Sequence, residues 1–273
     1  MSCSHPPKNP TASASGPTAR WLAPGLILLL GACASGPAPD SASNATARIA
    51  GSEWAVASVS EASGAPTQPW RHQDFPGKRA TDYQPTRIDG RPVVAARSRA
   101  SASVLRQDVR VEPADLGRLR FSWKVPALIE AADLDDRDLS DSPVRVVLAF
   151  EGDRSRFSAR DAMLSELAHA LTGEPMPYAT LMYVWSNHHP PGTVIHNGRT
   201  SRIRKLVVES GPGKLNRWLD YERDVRADFE KAFGEAPGAL LSIGIMTDSD
   251  NTRSAANAWY GPLRHVRVSK ATP

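Results

Sequence analysis

The stretch Leu119-Arg120-Phe121-Ser122-Trp123-Lys124-Val125 alternates strictly between apolar and polar side chains. Successive side chains of a strand point to opposite faces. This run therefore offers one face of Leu, Phe, Trp and Val and one of Arg, Ser and Lys, the pattern of a half-buried antiparallel strand. Residues 102–111 before it alternate less cleanly. Residues 144–150 form a continuous β-branched and aromatic run, suited to a central strand buried on both faces, and residues 180–185, 203–209 and 240–246 repeat that character. A last strand is expected over residues 263–268. Asp89-Gly90, Asn197-Gly198 and Gly211-Pro212-Gly213 read as turns between these runs.

Two segments break the pattern at helical spacing. Residues 158–171 place Met163, Leu164, Leu167, Ala168 and Leu171 on one stripe, with Ser158 as a cap partnered by Asp161 and Gly173 as the stop. Residues 218–233 align Trp218, Val225, Phe229 and Phe233 before Gly234. Both are heavily charged on the other face, so they are expected on the surface of the sheets. Many strands with only two helices predict a mainly β fold, an antiparallel β-sandwich of jelly-roll-like form with two surface helices. A doubly wound fold would need a helix between most strands.

The chain has 273 residues, 41% hydrophobic and 23% charged, with a formal charge of +4. Without Lys8 and Arg20, which lie in the leader described next, 31 basic residues face 29 acids. That balance does not argue for nucleic acid. The only cysteines are Cys3 and Cys33, so the body of the chain holds no disulfide or thiolate site and must rest on core burial.

Residues 21–32, Trp-Leu-Ala-Pro-Gly-Leu-Ile-Leu-Leu-Leu-Gly-Ala, are about half the ~20 residues needed to span a bilayer and fit the apolar region of a secretory signal. They end in Leu30-Gly31-Ala32-Cys33, which resembles a bacterial lipobox. The reading is a lipoprotein signal peptide over residues 1–32 and acylation at Cys33, whose two or three chains give stable membrane anchoring. A plain cleaved signal or a short anchor helix, with Cys33 incidental, is the alternative. Ala34, a non-Asp residue after the cysteine, implies by resemblance to Gram-negative lipoproteins the outer membrane, facing the periplasm. Residues 33–66, rich in Ala, Ser, Gly and Pro, are expected to be a flexible tether, with Trp54 and Val56 included; a short local contact of these two is the alternative. One domain is expected over residues 67–273.

Four strings carry a resemblance: Phe150-Glu-Gly-Asp-Arg-Ser155, Met176-Pro-Tyr-Ala-Thr-Leu-Met-Tyr-Val-Trp185, Val207-Val-Glu-Ser-Gly211 and Thr247-Asp-Ser-Asp-Asn-Thr252. The chain from about Trp70 to Val268 resembles the uncharacterised bacterial domain-of-unknown-function family three-zero-four-seven. Glu151 departs from the Asp expected in the family's Phe-Asp-Gly-Asp-Arg string, and the His188-His189 pair looks private to this chain. The resemblance implies no activity. Paired sheets with Trp-bearing strands are similar to jelly-roll carbohydrate-binding modules.

The candidate site begins with Asp248-Ser-Asp250-Asn251-Thr252. A helix-loop-helix calcium loop fails there, because its sixth and twelfth positions hold Arg253 and Trp259. Three readings stand: a turn whose short polar side chains bond its own backbone, a ligand or structural calcium site on Asp248, Asp250 and Asn251, or acid/base work. Trp185, Asn187, Trp259 and Tyr260 are candidates to flank the same region, where aromatic faces stack on sugar rings and acids or amides bond hydroxyls; packing is the competing reading for each aromatic. Asp133, Asp135, Asp136, Asp138 and Asp141 read as a solvated acidic loop, with a calcium loop as the alternative. His188 and His189 are adjacent, so in a strand they face opposite ways, a spacing unsuited to one metal, and Pro190-Pro191 marks a loop. The function expected is non-catalytic glycan binding by an envelope lipoprotein. The alternatives are a polysaccharide hydrolase or lyase using Glu209 with Asp248 or Asp250, and a protein-binding scaffold.

Overall fold

The computed structural model describes residues 48–58 and 68–267. The signal segment, Cys33 and the rest of the expected tether lie outside them. Thirteen strands build two sheets. The seven-stranded sheet runs in the order β1 (Arg71–Asp74), β4 (Ser103–Val111), β11 (Leu240–Asp248), β6 (Ser142–Phe150), β7 (Ala179–Ser186), β9 (Ile203–Ser210), β8 (Val194–His196). The six-stranded sheet runs β10 (Leu219–Asp224), β5 (Arg118–Lys124), β12 (Ala255–Tyr260), β3 (Arg91–Arg99), β2 (Asp82–Ile88), with β13 (Arg264–Val266) also pairing β5.

The alternating run forms β5, and Leu119, Phe121, Trp123 and Val125 are all buried between the sheets. Opposite them lie Val146, Leu148, Phe150, Leu181, Tyr183, Ile243 and Ile245. Phe121 stacks on Tyr183 at 5.6 Å, which joins the two sheets through their aromatic centre. The run 144–150 becomes β6, paired on both edges by β11 and β7. The sandwich is as expected, with one departure from antiparallel pairing: β7 and β9 run parallel. β8 hairpins back on β9 from the outer edge, which inserts β9 beside β7 in the same direction.

Helix α1 (Glu53–Ala57) falls inside the expected tether. Its N-cap Ser52 accepts the Ala55 N–H, and Trp54 is buried with its ring 4.6 Å from that of Trp70. Ile49 is buried too. Two large apolar groups close to the domain suffice to order so short a stretch, a contact that composition averaged over 34 residues conceals. The expected helix over residues 218–233 divides: its first part is β10, where Leu219, Tyr221 and Arg223 alternate with acids against β5, and only Val225–Phe233 is helical (α3).

Helix α2 (Ala159–Thr172) has the expected ends, Ser158 accepting from the Asp161 N–H and Gly173 at φ 75°. The Asp161 carboxylate also accepts from Thr200 Oγ1, the Ser201 N–H and Ser201 Oγ. Burial pushes its pKa up, but the bonds from Ser201, Thr200 and Ser158 outweigh that and hold it at about 2. This anchors one end of α2 to the loop between β8 and β9. The apolar stripe is not buried as its period suggests: Met163, Leu167 and Leu171 are 62%, 53% and 60% exposed. The helix crosses the outer face of the seven-stranded sheet without settling on it.

Candidate functional site

The gap under α2 is a cavity of about 710 Å³, walled by Leu164, Leu167 and Leu171 on one side and floored by Arg106, Ala149 and Ser242 of the sheet on the other. A second cavity of about 400 Å³ adjoins it and shares Phe75, Pro76, Leu164 and Met176. Together they form one groove along the outer face of the seven-stranded sheet. Its lining carries eight Lys or Arg against five acids. Arg71, Arg106, Lys78 and Arg145 are paired with those acids, and Arg137 and Arg199 approach Asp138.

The floor of the second cavity holds buried charge. Arg145 on β6 and Asp248 at the end of β11 pair side by side, Arg Nε donating to Oδ1 and Nη2 to Oδ2, both at 3.0 Å. Their side chains are 4% and 6% exposed. Burial pushes the Asp248 carboxyl up to about 6, with Arg145 pulling the other way. Lys205 on β9 is also buried, its Nζ donating to the Leu134 carbonyl and to Ser140 Oγ at 2.6 Å each. Desolvation, and then the nearby Arg145 charge, lower its pKa to about 7.

Lys205 makes stability rise with pH. Between about 7 and 10.5 the unfolded chain holds a proton on this amine that the folded chain does not. Folding is therefore penalised at pH 7 and the penalty disappears toward pH 10, on the order of 2–4 kcal/mol for one proton over that range. Denaturant unfolding from pH 7 to 10 should show this rise, and Lys205→Met should flatten it. A slope equal in both proteins would show that the amine is not desolvated.

The other expected site residues separate. Asp250 faces the groove and is paired with Lys78. Asn251 donates its Nδ2 to the Arg137 carbonyl, and Asp141 accepts from the Asn251 and Thr252 N–H groups and from Thr252 Oγ1. The Asp248–Thr252 turn is thus capped, by Asp141 rather than by its own acids. Arg145 on Asp248 and Lys78 on Asp250 compete for the oxygens that a calcium ion would use, while carboxylate oxygens of Asp141, Asp248 and Asp250 lie within 4.8 Å of one another.

Trp185, Tyr260 and Glu209 lie between the sheets. Trp185 is 1% exposed and donates its Nε1–H to the Gly211 carbonyl at 3.0 Å. Tyr260 is 0% exposed, its hydroxyl donating to the Met246 carbonyl at 2.7 Å. A register skip in the β7–β9 pair places Glu209, not Val208, beside Trp185, and so turns Glu209 inward, where Oε2 accepts from Lys214 and Tyr221. Trp259 sits on the outer face of the other sheet, alternating with buried Ala258 and Tyr260, and faces Lys124. Asn187 ties two loops together, donating Nδ2 to the carbonyls of Ile129 and Ala132 at 2.8 and 2.9 Å. The site of two indoles and two acids is therefore not formed. The pairing of Glu209 with Asp248 in catalysis fails for the same reason, because the two carboxylates open to opposite sides of one sheet.

Sequence reasoning missed Arg145, Lys205, Arg106 and the α2 leucines. A signal existed for Arg145, a lone cation inside the apolar run Val144-Arg-Val-Val; Lys205 follows Arg204 and carries no such mark.

A family model described as "Protein of unknown function (DUF3047)" matches residues 68–264. No curated protein matches the chain. Among solved structures, the xyloglucanase domain of NopAA, a type three effector from Sinorhizobium fredii, in complex with cellobiose, is 10% identical, with 73% of this chain and 93% of that one covered and a TM-score of 0.36. The native structure of the endo-1,4-beta-glucanase CelB2, a cellulase, is 11% identical, with 76% and 90% covered and a TM-score of 0.33. At overlaps this low nothing about ligand or residue roles rests on either likeness.

Proposed function

The chain belongs to the DUF3047 family of proteins of unknown function, and from that premise we propose that it is an envelope lipoprotein whose domain over residues 67–273 binds an acidic glycan in the groove under α2 without cleaving it. The observation that carries this reading is the continuous groove itself, apolar under Leu164, Leu167 and Leu171 and cationic at its other end. Sugar rings present C–H faces that suit the apolar wall, and their acidic substituents suit the Arg and Lys side chains. The acids that line the groove are engaged: Asp108 and Glu174 with Arg71 and Arg106, Asp248 with Arg145, Asp250 with Lys78, Asp135 with His189. These pairings occupy the carboxylates, which favours binding over hydrolysis.

Arg137 and Arg199 are exposed at the groove's cationic end. The double charge reversal Arg137→Glu/Arg199→Glu is expected to weaken retention on alginate or polygalacturonate at least tenfold, with wild-type binding falling as salt rises. Binding to a neutral β-glucan should be weaker than to either. Retention of no polysaccharide, or unchanged retention by the reversed variant, defeats the proposal. One observation favours catalysis instead: the raised pKa of Asp248 beside Asp250. Product release from the same polysaccharides, lost in Asp250→Asn, would establish that second reading.

The lipid anchor at Cys33 rests on the Leu30–Cys33 string, and would hold the groove at the outer membrane on its periplasmic side. Metabolic labelling with a palmitate analogue should mark the wild type and not Cys33→Ala.

A further inference from the structure

The adjacent histidines do not diverge as they would in a strand. They lie in the loop after β7, with their rings 4.2 Å apart. His188 Nε2 is 3.8 Å from Asp133 Oδ1, and one ring nitrogen of each histidine and a carboxylate oxygen of Asp133 all fall within 4.8 Å of one another. We propose that Asp133, His188 and His189 bind one divalent transition-metal ion, zinc foremost, beside the cationic end of the groove.

Two imidazoles and a carboxylate are a zinc ligand set with one position left open. Zinc–ligand bonds near 2.0–2.2 Å put tetrahedral ligands about 3.4 Å apart, so the 3.8 Å separation of His188 and Asp133 needs only a small closure. Imidazole nitrogen selects zinc and its neighbours over calcium and magnesium, which prefer all-oxygen sites.

The surroundings are built for this geometry. Asn187 stitches the histidine loop to the loop that bears Asp133, through the Ile129 and Ala132 carbonyls. Ser186 Oγ accepts the His189 N–H at 3.0 Å, which fixes the turn. The His189 ring has a partner on each side, Ser186 Oγ 3.1 Å from Nδ1 and Asp135 Oδ2 2.7 Å from Nε2. Whichever nitrogen meets the metal, the other keeps a group that holds the ring, as outer partners of metal-bound histidines do. Asp133 and Asp135 balance a divalent charge. His188 and Asp133 are 57% and 41% exposed on their side chains, so an ion can enter from solvent.

The site also has a structural consequence. Leu134, between the two acids, gives its carbonyl to Lys205 in the floor of the groove. A metal on Asp133 would stiffen the loop that covers that amine.

The simple alternative is a solvated cluster of surface acids and histidines, and calorimetric titration of the full, untagged chain with Zn²⁺ separates the two. We expect one ion per chain with a dissociation constant in the micromolar range or tighter, and no comparable binding of Ca²⁺. His188→Ala and Asp133→Asn should each weaken it at least tenfold. The His188 side chain is more than half exposed, and Asn at 133 keeps the oxygen that accepts the Asp135 N–H at 3.0 Å, so the metal-free variants should melt with the parent. His196→Ala, at an exposed histidine on β8, should bind zinc as the parent does. The proposal is overturned by an absence of zinc binding, by unchanged affinity in His188→Ala, by an equal loss in His196→Ala, or by Ca²⁺ binding as tightly as Zn²⁺. Substituting Co²⁺ adds a second readout: a tetrahedral visible spectrum is expected, and an octahedral one would contradict the ligand set.

Discussion

Arg145→Ala is expected to destabilise the domain by about 3–5 kcal/mol, a large part of the 5–15 kcal/mol that separates a typical folded domain from its unfolded chain. The substitution strands Asp248, whose side chain is 6% exposed, without its cation in a region where water cannot replace it. It also removes the donor to the Ser140 carbonyl at 2.7 Å. Asp248→Ala should cost a comparable amount by leaving the guanidinium alone and freeing the Ser142 N–H that Asp248 accepts. The double variant Arg145→Met/Asp248→Leu should lose much less than the sum of the two, because two coupled buried charges leave together. Denaturant melts of the four proteins give the coupling directly. Single losses below about 1 kcal/mol would mean that the pair is hydrated and that the groove floor is open to water.

Trp185→Ala is the second large effect, about 3–5 kcal/mol from a cavity between the sheets. Trp185 is 1% exposed, and its removal also leaves the Gly211 carbonyl without the indole donor. Trp259→Ala should cost within about 1 kcal/mol, since that ring lies on a partly exposed outer face over Lys124. The pair also tests where ligand binds. Trp259 stands on the far side of the sandwich from the groove, so its loss should leave glycan retention unchanged. Retention abolished by Trp259→Ala in a normally folded protein would move the binding surface to the six-stranded sheet and end the groove proposal.

The contrast between these two tryptophans shows what local pattern can and cannot carry. Both sit at the ends of apolar stretches near polar loops, and both look equally available to a sugar. The face a strand residue takes depends on phase, and phase at the strand ends depends on partners. The skip between β7 and β9 reverses Glu209, and β12, with small residues at alternate positions, offers too weak an alternation to announce itself as a strand. Helix α2 fails in a related way. Its stripe predicted a buried face correctly in period and wrongly in destination, because the neighbouring sheet face holds Arg106, Arg145 and Lys205 where a packed core would need apolar side chains. The His188-His189 spacing excluded a shared metal only for an extended strand; in a loop held by Asn187 the two rings lie side by side.

Strand runs, the mainly β class, the turns at Asp89-Gly90 and Asn197-Gly198 and the ends of α2 were legible along the chain, because alternation, capping and left-handed glycines act between residues a few positions apart. The groove, the Arg145–Asp248 pair and the assembly of Asp133 with His188 and His189 were not. Each joins side chains far apart along the chain, Arg145 and Asp248 by 103 positions and Lys78 and Asp250 by 172, and no local rule records which strand lies beside which, or on which side of a sheet a charge emerges once its neighbours have taken their register.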